Sequence, residues 1–197
     1  MNRKALILMV IVICVALGMG VFGYAGEKSK KPTKVLPVSV EVTGVERLNA
    51  AGAKPPYQGT DVLVYRINFK LTNPNNVIAK ADDLYFETKI DDGTKEKMIV
   101  LAGSMPSMLI PAGGEATWSY TDPLLYGGII GQIVTRGLSG EEGMKGAVRI
   151  REELWTDLGA DKKKFFIDGN IMTSLPDFPK LGTVYQQFNA EFDIPKL

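Results

Sequence analysis

From Val38 onward, hydrophobic and polar residues alternate with a period of two in a series of short runs. Val38, Val40 and Val42 alternate with Ser39 and Glu41, and Leu63, Tyr65, Ile67, Phe69 and Leu71 alternate with Val64, Arg66, Asn68 and Lys70. Leu84, Phe86, Thr88 and Ile90 alternate with Tyr85, Glu87 and Lys89. Further runs lie around Lys97 to Leu101, at Ala116, Trp118 and Tyr120, at Phe165, Ile167, Gly169 and Ile171, and from Val184 to Ile194. Alternation places every second side chain on one face, so each run predicts a strand half-buried against a core. Asp91-Asp92-Gly93-Thr94 and Pro111-Ala112-Gly113-Gly114 are turn signals between them. The pattern predicts a mostly β fold, an antiparallel β-sandwich of about seven strands.

One segment has a different period. After Asp122-Pro123, a capping residue followed by proline, the apolar residues Leu125, Ile129, Ile130, Ile133, Val134 and Leu138 recur every three to five positions. That spacing predicts one short helix. Gly127, Gly128 and Gly131 each weaken it by up to about 1 kcal/mol relative to alanine and let it lie close against a sheet.

The amino terminus is of another kind. Met1-Asn2-Arg3-Lys4 precedes 22 residues without a charge, Ala5 to Gly26. At about 1.5 Å per helical residue they reach across a hydrocarbon layer of about 30 Å. Residues 1–26 are expected to be a transmembrane helix acting as a signal anchor, or a signal peptide cleaved near Gly23-Tyr24-Ala25-Gly26. Residues 27–37 then form a polar linker, and 38–197 the folded domain. The lysines at 28, 30, 31 and 34 outnumber Arg3 and Lys4, which by the positive-inside rule places the domain in the cytoplasm. A short basic amino terminus before an apolar run places it outside. A single-pass membrane protein with an extracytoplasmic, periplasmic-side domain is expected. Its first partner is therefore the membrane.

Composition narrows the chemistry. There is no histidine, and Cys14 is the single cysteine. Ser-His and Cys-His catalysis, His-ligated metals and intrachain disulfides are thereby excluded. After Lys34 the chain carries 17 basic and 21 acidic side chains, a net charge of −4 that does not suit a polyanionic partner. No nucleic acid, cofactor, metal or small-molecule substrate is expected, and no enzymatic activity. Asp82, Asp83, Asp91, Asp92, Glu141 and Glu142 lack the spacing of a calcium loop. Trp118 and Trp155 read as packing residues.

The stretch Lys70 to Val77, "KLTNPNNV", ends a strand abruptly. Pro74 removes a ladder donor and holds Asn73 extended, while Asn73 and Asn75 hydrogen-bond readily to nearby backbone. The group reads as a structural turn. Asn73, Pro74 and Asn75, the following Leu84-Tyr85-Phe86, the glycines Gly93 and Gly103, and "LIPAGGEATWSY" with its Pro111 resemble the WHy domain (water stress and hypersensitive response) of group 2 late embryogenesis abundant proteins. The resemblance spans Val38 to Leu124 well and continues more loosely to the last strands. It implies a β-sandwich with one helix and a non-catalytic role in desiccation, cold and other stress. Against that family the loop Asn49 to Asp61 is enlarged, and the stretch Arg149 to Lys164 matches no motif of it.

Two functions are therefore expected, in order of preference. The first is a membrane-tethered stress-protective module binding protein clients or the membrane surface. The second is a dedicated accessory or scaffold subunit of an envelope or membrane complex.

Overall fold

The computed structural model describes residues 31–49, 56, 58–91, 97–126, 145, 148–149, 152–153, 155–157 and 164–193. The expected membrane segment 1–26 and the hairpin residue Gly93 lie outside them. Among the described residues, no helix is long and apolar enough to cross a membrane.

Among the described residues eight strands form: β1 (Ser39–Arg47), β2 (Val62–Thr72), β3 (Ala79–Ile90), β4 (Met98–Met105), β5 (Met108–Ile110), β6 (Glu115–Leu125), β7 (Lys164–Ser174) and β8 (Thr183–Asp193). A 3-10 turn of helix, Pro179–Leu181, leads into β8. The count exceeds the expected seven by β5, whose three residues are too few to show a period.

All pairings are antiparallel. One sheet has the order β1-β2-β6; the other runs β4-β3-β7-β8, with β5 also paired to β3. In β2 the inward residues Leu63, Tyr65, Ile67, Phe69 and Leu71 are all buried, as the alternation requires. The sheets share one core in which Phe69 meets Phe86 at 5.0 Å and Phe188 at 6.2 Å between ring centroids. Towards the far end of β2, Leu63 and Tyr65 pack with Ile90, Met98, Leu101, Phe165 and Trp155 in a second apolar cluster. Trp155 is fully buried and stacks edge-on to Tyr126 at 5.4 Å. Trp118 is half-buried, tilted over Phe69 at 5.1 Å.

The helix expected from Asp122-Pro123 does not begin there. Both residues belong to β6, opposite Tyr65 and Val64. The Val64 N–H donates to Asn49 Oδ1 at 2.8 Å, and its carbonyl accepts from the Leu48 N–H at 2.8 Å. Both its backbone groups thus point towards β1, so Pro123 on the other side sits at a position that makes no ladder bond to β2. The nitrogen of Pro123 faces the open sheet edge, where a missing N–H leaves no partner unmet. Among the described residues, α-helical backbone stands at Tyr126, 145, 148–149, 152–153 and 155–157. The apolar stripe Ile129 to Leu138 lies outside the described residues.

Candidate functional site

Asn73 and Asn75, flagged by sequence, occupy one buried corner at the end of β2. The Asn73 side chain is fully buried. Its Nδ2 faces three carbonyl oxygens, of Val77 at 2.9 Å, Ile110 at 3.1 Å and Pro111 at 2.9 Å. Its Oδ1 accepts from the N–H of Asn75 at 2.9 Å and from Asn75 Nδ2 at 2.9 Å. Asn75 continues the chain of bonds: its Nδ2 donates to the Leu36 carbonyl at 2.8 Å, and its Oδ1 accepts from the Leu36 N–H at 2.9 Å. An amide carries donor and acceptor on one planar group, which is why asparagine bridges backbone that has left its ladder.

The backbone completes the corner. The Asn73 N–H donates to the Gly114 carbonyl at 2.9 Å, and the Gly113 N–H donates to the Asn75 carbonyl at 2.9 Å. Gly114 donates to Pro111 at 3.0 Å across the turn, where Gly113 has φ +58°. That left-handed backbone favours glycine. Pro74 is exposed and touches none of these bonds, holding the preceding residue extended. Two asparagines therefore tie together three segments remote in sequence: the entry at Leu36, the end of β2, and the turn from β5 to β6. Core packing has already begun at that entry, with Val35 and Val38 buried and the Val38 N–H donating to Thr173 Oγ1 at 2.9 Å.

Gly103 stands apart from this corner, on β4. A Cβ there would lie 2.7 Å from two ring carbons of Tyr120 and 2.9 Å from Phe86. The bare backbone lets Tyr120 cross from β6 and donate its hydroxyl to the Ala102 carbonyl at 3.0 Å. Burial raises the Tyr120 pKa first, and the Asp122 carboxylate adds to the effect. The glycine thus joins the two sheets along one side. The resemblance flagged it without this reason.

The acidic candidates separate. Asp82 accepts from Lys80 at 2.9 Å and from the Ser107 hydroxyl. Asp83 bulges outward with φ 49°. Asp92, Glu141 and Glu142 lie outside the described residues. Among the described residues no three Asp, Glu, Cys or His side chains converge as metal ligands.

A second feature escaped sequence reading. On the outer face of the larger sheet, Tyr85 is paired with Asn170 and Asn170 with Gln187; one row on, Glu87 is paired with Asp168 and Asp168 with Asn189. Between these two rows of side chains runs a groove of about 340 Å³, floored by Gly169 and Phe188. Its residues come from three strands, and they lie between Tyr85 and Asn189 in sequence. On each strand they read merely as the solvent face. The usable signal was compositional: Asn is depleted in strands, yet two stand here on the outer face.

What these features define is a two-sheet antiparallel β-sandwich with an asparagine-locked corner. Among similar solved structures is one of a protein described as late embryogenesis abundant (LEA), with 15% identity over 98% of this chain and 90% of that chain, TM-score 0.43. A protein of Arabidopsis thaliana matches at 14% identity over 87% of this chain and 93% of that one, TM-score 0.36. A Bordetella pertussis protein designated ApaA matches at 12% identity over 84% and 100%, TM-score 0.43. No protein-family model and no curated protein sequence matches the chain.

Proposed function

We propose that this chain is a non-catalytic stress-protective module, held at a membrane by its first 26 residues and acting on protein clients or the membrane surface during water loss or cold. The observation that carries this reading is the asparagine corner, where the motif behind the family resemblance meets the point at which the chain enters the sandwich. Leu36 is bonded through both its backbone groups to Asn75. These bonds fix the start of the domain to its own core, so an anchor upstream pulls on a clamped entry, which suits a tethered module. The outer faces, rich in polar and charged side chains, favour reversible surface contact over a permanent apolar interface.

The test uses the full-length protein in lipid vesicles, dried and rehydrated with an aggregation-prone enzyme. The module keeps more of that enzyme active and soluble than empty vesicles do. Equal losses in both samples, together with capture of one stoichiometric partner from native membranes, overturn the reading in favour of a dedicated subunit.

A further inference from the structure

The groove on the outer face of the larger sheet has the chemistry of a saccharide site, and this does not depend on the stress-protective reading. Three of its side chains are primary amides, Asn170, Gln187 and Asn189, which make no hydrogen bond to any other described residue. They do not serve the fold as the buried asparagines do. Each offers two donors and an acceptor to whatever enters. On the other flank the two carboxylates are already held: Lys89 donates to Asp168 Oδ2 at 3.1 Å and reaches Glu87 Oε2 at 3.2 Å. The Tyr85 hydroxyl donates to Glu87 Oε1 at 3.0 Å. These bonds raise the Lys89 and Tyr85 pKa values, the first mainly through Asp168 and the second mainly through Glu87.

The arrangement selects by charge as well as by shape. The two carboxylates and Lys89 leave net negative charge at the rim, so an anion is not drawn in. A metal cation would have to displace Lys89 from both carboxylates. A neutral ligand rich in hydroxyls fits, because hydroxyls both donate and accept and so match amides and carboxylates together. Tyr85 adds an apolar face, being 42% exposed while its hydroxyl is pinned, and an aromatic ring of this kind stacks on the C–H face of a sugar. It follows directly on the irregularity between Asp82 and Tyr85, where Asp83 adopts φ 49°. Bulges of this kind re-aim a neighbouring side chain.

Dimensions agree. Three strands at about 4.8 Å spacing give a groove roughly 10 Å long, and two residues along a strand give a width near 7 Å. The floor is closely packed: a Cβ on Gly169 would lie 2.3 Å from the Phe188 ring beneath and 2.6 Å from the Tyr85 carbonyl.

We infer that this groove binds a neutral oligosaccharide, one or two sugar rings at a time, through Tyr85, Asn170, Gln187 and Asn189. The test is titration of the full-length chain, in a detergent without a sugar headgroup, with maltose, cellobiose and trehalose, and sedimentation with insoluble neutral polysaccharide. Saturable binding is expected with a Kd between about 0.1 and 10 mM, little changed by salt. Asn170→Ala and Tyr85→Ala each weaken it about tenfold, while Leu109→Ala, at an exposed position on β5, leaves it unchanged. Retention on the polymer combined with weak disaccharide binding assigns the site to a polymeric glycan, and the reverse assigns it to free sugar. Binding that survives both groove variants, that disappears with salt, or that is absent for every sugar and polymer overturns the assignment. Unchanged thermal unfolding of the variants excludes loss of fold as the cause.

Discussion

Replacing Asn73 with alanine removes one buried amide and five of the contacts that close its corner. The Asn75 N–H and the Ile110 carbonyl are on buried bonds, and each loses its partner to Asn73. A buried polar group left unpaired costs about 1–3 kcal/mol. The carbonyls of Val77 and Pro111 are only partly buried, so water replaces part of what they lose. Asn75 Nδ2 keeps its bond to Leu36. The expected loss is about 3–4 kcal/mol, a large share of the roughly 5–15 kcal/mol of an ordinary domain. For a chain of this size it lowers Tm by about 10 °C.

Urea unfolding of the full chain in detergent, followed by tryptophan fluorescence, measures the loss as a lower midpoint at unchanged slope. Asn73→Asp sharpens the test because it keeps the shape. It turns the donor into an oxygen facing three carbonyl oxygens at 2.9, 3.1 and 2.9 Å. At pH 7 this variant is less stable than alanine. Burial and those oxygens raise its folded-state pKa above the unfolded value of about 3.9, so its stability is highest below that value and falls as pH rises through the folded pKa. A loss under about 1 kcal/mol for alanine, or wild-type behaviour of the aspartate at pH 7, refutes the account of the corner given above.

Other substitutions probe the rest of the fold. Gly103→Ala pushes Tyr120 off β4 and costs about 1–3 kcal/mol, read from the same denaturant midpoint; adding Tyr120→Phe to it costs little more, because the hydroxyl bond to Ala102 is already broken. Trp155→Ala opens a cavity beside Leu63, Tyr65 and Phe165 and costs about 3–5 kcal/mol by thermal unfolding. At Asp82, burial raises the pKa, but the bonds from Ser107 and Lys80 and the lysine charge outweigh it, so the net shift is downward. The group therefore contributes stability above its unfolded pKa of about 3.9 that is lost as pH falls through the lower folded value. Asp82→Asn loses about 1 kcal/mol or less at pH 7, and its difference from wild type shrinks in melts taken from pH 5 down to pH 2.

Local periodicity carried most of the strand assignments. An alternating run has one solution that buries its apolar half, so β2, β3, β6 and β7 were legible from residues such as Leu63 to Leu71 alone. The Asn-Pro-Asn turn was legible for a similar reason, since proline and asparagine act on their own backbone within a few positions. Asp122-Pro123 misled because a capping pair and a proline on an edge strand look identical in sequence. Only the hydrogen bonds of Val64 towards β1 decide which way that proline faces.

Sequence by itself determined the fold class, the absence of histidine and disulfide chemistry, and where one strand must stop. The tertiary structure alone decided what Asn73 and Asn75 hold, because their partners at Leu36, Ile110 and Pro111 are 37 to 39 positions away. It likewise decided that Tyr85, Asn170 and Gln187 are neighbours across three strands. Periodicity fixes which face of a strand a residue takes. It carries no information on which strand lies beside it, and that pairing is what assembles both the corner and the groove.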